Sequence, residues 1–161
     1  MATTFRDFLR DQAEKYQAEV RSGSATVDEW RAAIDRLFSE LRAWLKQSDP
    51  QGIIEIEECQ QEIREQGLGR YQVPRLDLRA FGKWIGIIPK ARKTVGTANP
   101  SQKSAPQRAA GRVDITDELR RYVLYRLQDD GRDVWVIDDL ESGQQPLNQE
   151  AFERALMSYL R

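Results

Sequence analysis

The chain has 161 residues, of which 40% are hydrophobic and 32% charged, a composition typical of one compact globular domain. It contains no histidine and one cysteine, which excludes Ser-His-Asp and Cys-His catalysis, histidine-ligated metals, zinc ribbons and a disulfide framework within the chain. The 25 basic and 26 acidic residues nearly balance, so the molecule as a whole has no bulk attraction for nucleic acid or membrane.

Residues 1–48 are predicted to form a helical hairpin. Thr4 is the predicted N-cap of the first helix, in which apolar residues recur at helical spacing from Phe5 to Val20. We expect Ser22-Gly23-Ser24 to end this helix. A second helix is expected to begin at Thr26–Glu29, where a hydroxyl followed three residues later by a carboxylate has the pattern of a capping box.

The second predicted helix carries three large apolar residues that we interpret as anchors for a partner protein. These are Trp30, Leu41 and Trp44, and tryptophan is frequent at the energetically important positions of interfaces. The alternation of three and four residues along this stripe also fits a coiled-coil seam, so a homodimer through the hairpin is an alternative. The stripe is short and broad, which favours packing against the first helix and a sheet.

Residues 52–161 are predicted to form an antiparallel sheet of five or six strands, followed by a C-terminal helix with Asn148 as its N-cap. The clearest hairpin has Asp130-Gly131 as a two-residue turn, which places Arg126 opposite Trp135. Residues 94–111 are small and polar, so we predict a long mobile loop there. The predicted fold class is therefore α+β, with the hairpin attached to one compact unit.

Basic residues are concentrated in the middle of the chain. Residues 78–113 contain eight basic and no acidic side chains. Converging lysine and arginine side chains bind phosphates by counterion release, and Phe81 and Trp84 could stack on bases. The candidates for binding nucleic acid or another anion are Lys83, Lys90, Arg92, Lys93, Lys103, Arg108 and Arg112. An accessory nucleic-acid-binding domain using residues 83–112 is thus the alternative function.

Carboxylates supply a third hypothesis, a magnesium-dependent enzyme. Asp138 and Asp139 end a strand and are the best pair of ligands, but nothing nearby supplies a third. A metal-dependent nuclease pattern fails because Ile88 occupies a carboxylate position, and a phosphate loop fails because Arg92 replaces the required glycine. The sequence therefore predicts no metal site and no cofactor, and it favours a protein without catalytic activity.

The remaining predictions concern the cellular location of the protein and the kind of partner that it binds. No segment approaches the ~20 apolar residues of a membrane span, and the N-terminus lacks the apolar core of a signal peptide. The lone Cys59 stands beside Glu57 and Glu58, which disfavour a thiolate, so we interpret it as an inert thiol. We predict a small cytoplasmic interaction or regulatory protein that binds a partner protein and no membrane.

Overall fold

The computed structural model describes residues 2–99, 105–139 and 141–161. The helices and strands over these residues are α1 (Phe5–Ser48), β1 (Glu55–Glu65), β2 (Gly69–Ala80), β3 (Lys83–Ala91), β4 (Thr97–Ala98), β5 (Gln107–Arg108), β6 (Arg112–Thr116), β7 (Arg121–Asp129), β8 (Arg132–Asp139), β9 (Gly143–Pro146) and α2 (Gln149–Leu160). A helix lies near each end of the chain and the strands between them form an antiparallel sheet, so the predicted α+β class is confirmed.

The N-terminal region is one continuous helix of 44 residues, so the prediction of a helical hairpin over residues 1–48 is wrong. The predicted N-cap, Thr4, is confirmed. Gly23 does not end the helix, because it is buried where α1 passes the turn between β1 and β2. A Cβ on Gly23 would lie 2.8 Å from Leu68 Cδ2 and 3.0 Å from the Gly67 carbonyl oxygen. This glycine therefore permits a close approach of helix and turn, and packing outweighs its low helix propensity.

The predicted capping box at Thr26 and Glu29 is also wrong, because both residues lie inside α1. The Glu29 carboxylate instead accepts hydrogen bonds from Arg126 on β7. The helix ends at Ser48, and the backbone N–H of its C-cap, Asp49, donates to the Leu45 carbonyl oxygen. A local sequence pattern that is typical of a helix start is thus used for a contact between distant parts of the chain.

Over the described residues the main sheet has seven antiparallel strands in the order β1-β2-β3-β6-β7-β8-β9, compared with the predicted five or six. The strand missing from the prediction is β9, whose sequence Gly-Gln-Gln-Pro has no apolar alternation. The hairpin of β7 and β8 has the predicted register, with Arg126 opposite Trp135. Its turn residues Asp130 and Gly131 have φ angles of 48° and 77°, as a type I′ turn requires.

The prediction of a long mobile loop over residues 94–111 is not confirmed. Short strands β4 and β5 pair within this segment, and Ala98 and Ala109 are buried against Leu127 and Val136. Residues 100–104, which include the candidate Lys103, lie outside the described residues. The described parts of the segment therefore cover the ends of β7 and β8.

The main sheet has two faces with different surroundings. On the inner face, α1 and α2 bury the main hydrophobic core, which includes Trp30, Leu76, Leu124 and Phe152. On the outer face, β4 and β5 cover only part of β7 and β8 through a smaller apolar cluster. Because side chains alternate along each strand, the remaining outer side chains of β2, β3 and β6 are free to form a second surface.

Candidate functional site

The three predicted protein-binding anchors lie between α1 and the rest of the molecule. Trp30 and Leu41 are completely buried, and Trp44 is partly buried with its ring centroid 6.0 Å from that of Phe152. Trp30 also stacks at 6.3 Å on Trp135 of the sheet. In the monomer these side chains attach α1 to the inner face of the sheet.

The exposed apolar surface of α1 lies nearer its N-terminus, in the segment Phe5–Glu19, which we call the helix arm. Every residue from Ala2 to Glu19 except Asp7 is exposed. Four large apolar side chains in the arm have high exposed fractions: Phe5 73%, Phe8 50%, Leu9 50% and Tyr16 49%. Their spacing of three, four and eleven residues places them along one side of the helix.

The apolar side of the arm continues the core-facing side of α1. At about 100° per residue, Phe5, Leu9 and Tyr16 project on the same side as the buried Val27 and Ile34. The β1–β2 turn marks the point at which this stripe leaves the sheet. A Cβ on Gly69 in this turn would lie 2.6 Å from Val20 Cγ2 and 3.0 Å from the Tyr16 hydroxyl oxygen. Beyond the turn, Phe5, Phe8 and Leu9 are at least half exposed.

A buried ion cluster joins α1 to the sheet. Arg126 is fully buried, and its guanidinium donates to Glu29 from Nη1 at 3.0 Å and also from Nη2, and to Asp133 from Nε at 2.8 Å. The hydrogen bonds from Arg126 hold the pKa of Glu29 below its ordinary value. Burial opposes ionisation of Asp133, but Arg36 and Arg126 outweigh it and lower the pKa of that carboxyl. These groups fix the orientation of α1 on the sheet.

The basic residues proposed to bind nucleic acid do not form one continuous surface. Lys83 and Ala91 stand at opposite ends of β3, roughly 27 Å apart at the ordinary strand rise. Lys83 donates to the backbone oxygen of Arg161, Lys93 lies 3.5 Å from the Gln66 carbonyl oxygen, Arg92 lies 4.0 Å from Glu29, and Arg108 donates to Thr94. Of the described candidates, Lys90 and Arg112 are the two that line the same depression.

This depression, which we call the outer groove, lies on the outer face of the sheet and has a volume of about 910 Å³. Residues of β2, β3 and β6, of the turn after β6 and of the adjoining ends of β7 and β8 line it. Its lining includes the aromatic ring of Trp84 together with basic and acidic side chains. The groove therefore combines apolar ring surface with charge.

The indole of Trp84 lies against the backbone of β3 inside the groove. A Cβ on Gly86 would be 2.6 Å from Trp84 Cζ2 and 2.9 Å from Ile88 Cδ1, so the glycine makes room for the ring. Trp84 Nε1 donates to Asp77 Oδ1 at 2.8 Å, and Arg75 Nη2 donates to the same oxygen at 2.6 Å. Burial acts to raise the pKa of Asp77, but these two donors hold it below its ordinary value. The ring is thus held in one orientation.

A second arginine–aspartate pair lies on the same face. Arg112 donates to the buried Asp114 from Nε at 2.8 Å and from Nη2 at 3.0 Å, and these bonds raise the pKa of Arg112. Both pairs have the sequence Arg-x-Asp, Arg75 with Asp77 and Arg112 with Asp114. Residues two apart on a strand share a face, so in each pair the arginine and the aspartate lie on the same face of the sheet.

The carboxylates and the thiol have other surroundings. Asp138 and Asp139 are neighbours on β8, so their side chains leave on opposite faces. Over residues 2–99, 105–139 and 141–161, no group of three or more cysteine, aspartate or glutamate side chains is arranged to hold a metal ion. Burial is the main cause that raises the pKa of the half-buried Cys59 thiol. The nearby carboxylates of Asp77 and Glu57 raise it further.

Comparisons with other proteins add no family to these observations. No helix in the described part of the chain is long and apolar enough to cross a membrane. No protein-family model, curated protein or solved structure matches the chain. The helix arm and the outer groove are therefore the features from which function is inferred.

Proposed function

We propose that this chain is a non-catalytic interaction protein whose helix arm binds an apolar groove on a partner protein. The observation that carries the proposal is the stripe of Phe5, Phe8, Leu9 and Tyr16, which extends beyond the sheet. Each of these residues has an exposed fraction of about one half or more. This placement differs from the predicted anchors at Trp30, Leu41 and Trp44, which pack inward. The proposed activity is the predicted one, carried by a different part of the same helix.

The size of the stripe supports a binding role. Since an aromatic side chain carries about 150–250 Å² of surface, the exposed fractions correspond to roughly 400 Å² of apolar area. Apolar patches of about 300–600 Å² are the largest on typical monomers and are often functional. At about 25 cal/mol per Å², full burial contributes roughly 10 kcal/mol before the cost of association. The cost of association offsets much of this gain, so we expect a reversible complex of modest affinity.

The chemistry of the arm favours an apolar partner surface over a charged one. Its basic residues are Arg6, Arg10 and Lys15, and its acidic residues are Asp7, Asp11, Glu14 and Glu19, so the charges nearly cancel. An amphipathic helix with anchors at such spacing is recognised by laying its apolar face into a hydrophobic groove. Because little net charge is involved, the complex is expected to be only weakly sensitive to salt.

Site-specific photocrosslinking tests the proposal. p-Benzoylphenylalanine is placed at Phe8, on the apolar side of the arm, and in a matched chain at Glu14, on its polar side. The expected result is a defined protein adduct from position 8 in the native host cells, well above the yield from position 14. The crosslinked protein is then purified, and its affinity for the unmodified chain is measured by titration calorimetry.

The affinity measurement uses two double variants. Phe8→Ser with Leu9→Ser is expected to weaken the complex at least about tenfold, because interface anchors of this kind each contribute a kcal/mol or more. Glu14→Ser with Ala18→Ser, on the opposite side of the arm, is expected to leave the affinity unchanged. Equal crosslinking at both positions, or equal affinities, would overturn the proposal. Sedimentation of the chain alone as a dimer that the first variant dissociates would make a second copy the occupant instead.

A further inference from the structure

We infer that the outer groove binds a nucleotide unit, meaning a planar base stacked on Trp84 with its phosphate held by Lys90 and Arg112. The unit is either a free nucleotide or one residue of a single strand, since both have the same chemistry. This inference uses the sheet face opposite α1 and does not depend on the helix arm.

The base end of the proposed site is the indole of Trp84. Gly86 supports the ring from the sheet side, and Asp77 fixes its edge through Nε1. The Arg75 guanidinium carbon lies 5.8 Å from the ring centroid, in range of a cation–π contact. A ring held in one orientation at the wall of an open groove loses little conformational freedom when a base stacks on it.

The phosphate end is formed by Lys90 and Arg112. Asp114 accepts from Nε and Nη2 of Arg112, and Nη1 makes no hydrogen bond within the described part of the chain. Within the described part of the chain, Lys90 makes no ion pair or hydrogen bond through its side chain, and it is exposed at the groove. A fixed guanidinium beside an adaptable ammonium is a suitable pair of donors for phosphate.

The spacing of the two ends matches one nucleotide. The Trp84 ring lies over Gly86 next to Ile88, and Lys90 follows two residues along β3, at a β-bulge between Pro89 and Ala91; Trp84, Ile88 and Lys90 all line the groove. The acidic residues of the lining are Asp114, which is paired with Arg112, and Glu118, Asp139 and Glu141, which lie at the end of the groove away from Arg112. The groove is therefore polarised, and an anion is accommodated at the Lys90 end.

The test is titration calorimetry of the full chain with AMP, adenosine and inorganic phosphate at low salt. We expect saturable AMP binding that Lys90→Gln and Trp84→Leu each weaken by about fivefold or more. Lys46→Gln, which removes an exposed charge from α1, is the matched control and is expected to have no effect. Proton–nitrogen spectra provide a second readout, in which AMP is expected to shift the indole signal of Trp84 among the four tryptophans.

The ligand series decides the outcome. Inorganic phosphate or adenosine binding as tightly as AMP would overturn the inference, since one end of the site would then contribute nothing. Absence of saturable AMP binding, or equal loss in Lys46→Gln and Lys90→Gln, would also overturn it. A hexanucleotide that binds at least about tenfold more tightly than AMP, with a steeper salt dependence, would identify a single strand as the source of the nucleotide. Equal affinity would identify the free nucleotide.

Discussion

The attachment of α1 to the sheet depends on the ion pair between Glu29 and the buried Arg126, and Glu29→Gln tests this directly. The substitution keeps the shape of the side chain and one acceptor oxygen but removes its charge. Arg126 retains its bond from Nε to Asp133 at 2.8 Å. We therefore expect a folded variant whose free energy of unfolding is reduced.

The magnitude follows from the contacts of the carboxylate. Glu29 accepts two hydrogen bonds from a guanidinium whose side chain is 1% exposed, and bonds to charged groups contribute about 1.5–3 kcal/mol each. The Glu29 side chain itself is 42% exposed, so solvent screening reduces the loss. We expect a loss of about 2 kcal/mol at neutral pH, which corresponds to roughly 4–8 °C in melting temperature for a chain of this size.

The same pair predicts how this loss depends on pH. The pKa of Glu29 in the folded protein lies below its ordinary value of 4.5, mainly because Arg126 donates to the carboxylate. Its stabilising contribution is therefore fully present above the pKa of the unfolded chain and is lost as pH falls through the folded pKa. The difference between the wild-type chain and Glu29→Gln is expected to shrink at about pH 3 relative to pH 7.

Urea unfolding followed by tryptophan fluorescence at both pH values measures these differences. Glu40→Gln, an exposed substitution on the same helix, is the control and is expected to change stability by less than about 0.5 kcal/mol. The reasoning is refuted if the two variants lose equal stability at neutral pH. It is also refuted if the loss in Glu29→Gln is the same at both pH values.

Three further predictions concern close contacts and the exposed arm. Gly111→Ala is expected to lower stability by about 1–3 kcal/mol in urea unfolding, because its Cβ would lie 2.3 Å from Trp30 Cζ3; an unchanged midpoint would contradict the packing. Gly86→Ala is expected to displace the indole that lies on this glycine, and an unmoved indole proton signal would argue against that position. The double substitution Phe8→Ser with Leu9→Ser is expected to change stability by no more than about 0.5 kcal/mol, because both side chains are half exposed; a clear drop in melting temperature would show that the arm packs.

The features predicted well from sequence are those fixed by neighbouring residues. Asp130-Gly131 sets the turn type, and the turn sets the register that pairs Arg126 with Trp135. Thr4 and Asn148 cap the two helices because a side-chain oxygen next to a helical segment satisfies its free amides. In each case the interaction spans only a few positions along the chain.

The errors arose where distant contacts override local signals. Gly23 resembles a helix stop in the sequence. Its role, which is to let Leu68 and the β1–β2 turn approach the helix closely, is evident only from the folded structure. The outer groove depends on strand β6 pairing beside β3, across some twenty residues of intervening chain. In the sequence, the Arg75–Asp77 and Arg112–Asp114 pairs give no sign that they are related. Only the pairing of β3 with β6 places both pairs on one face of the sheet.

The difference in length between α1 and the sheet explains why one apolar stripe has two surroundings. A helix of 44 residues is about 66 Å long, whereas β2, among the longest strands with 12 residues, extends only about 40 Å. The sheet therefore covers the stripe at Trp30 and Leu41 but not at Phe5 and Phe8. Polar residues at these exposed positions would leave the core intact and reduce the apolar surface in contact with water. These exposed apolar side chains of the arm are therefore the part of the stripe on which the proposed binding of a partner protein rests.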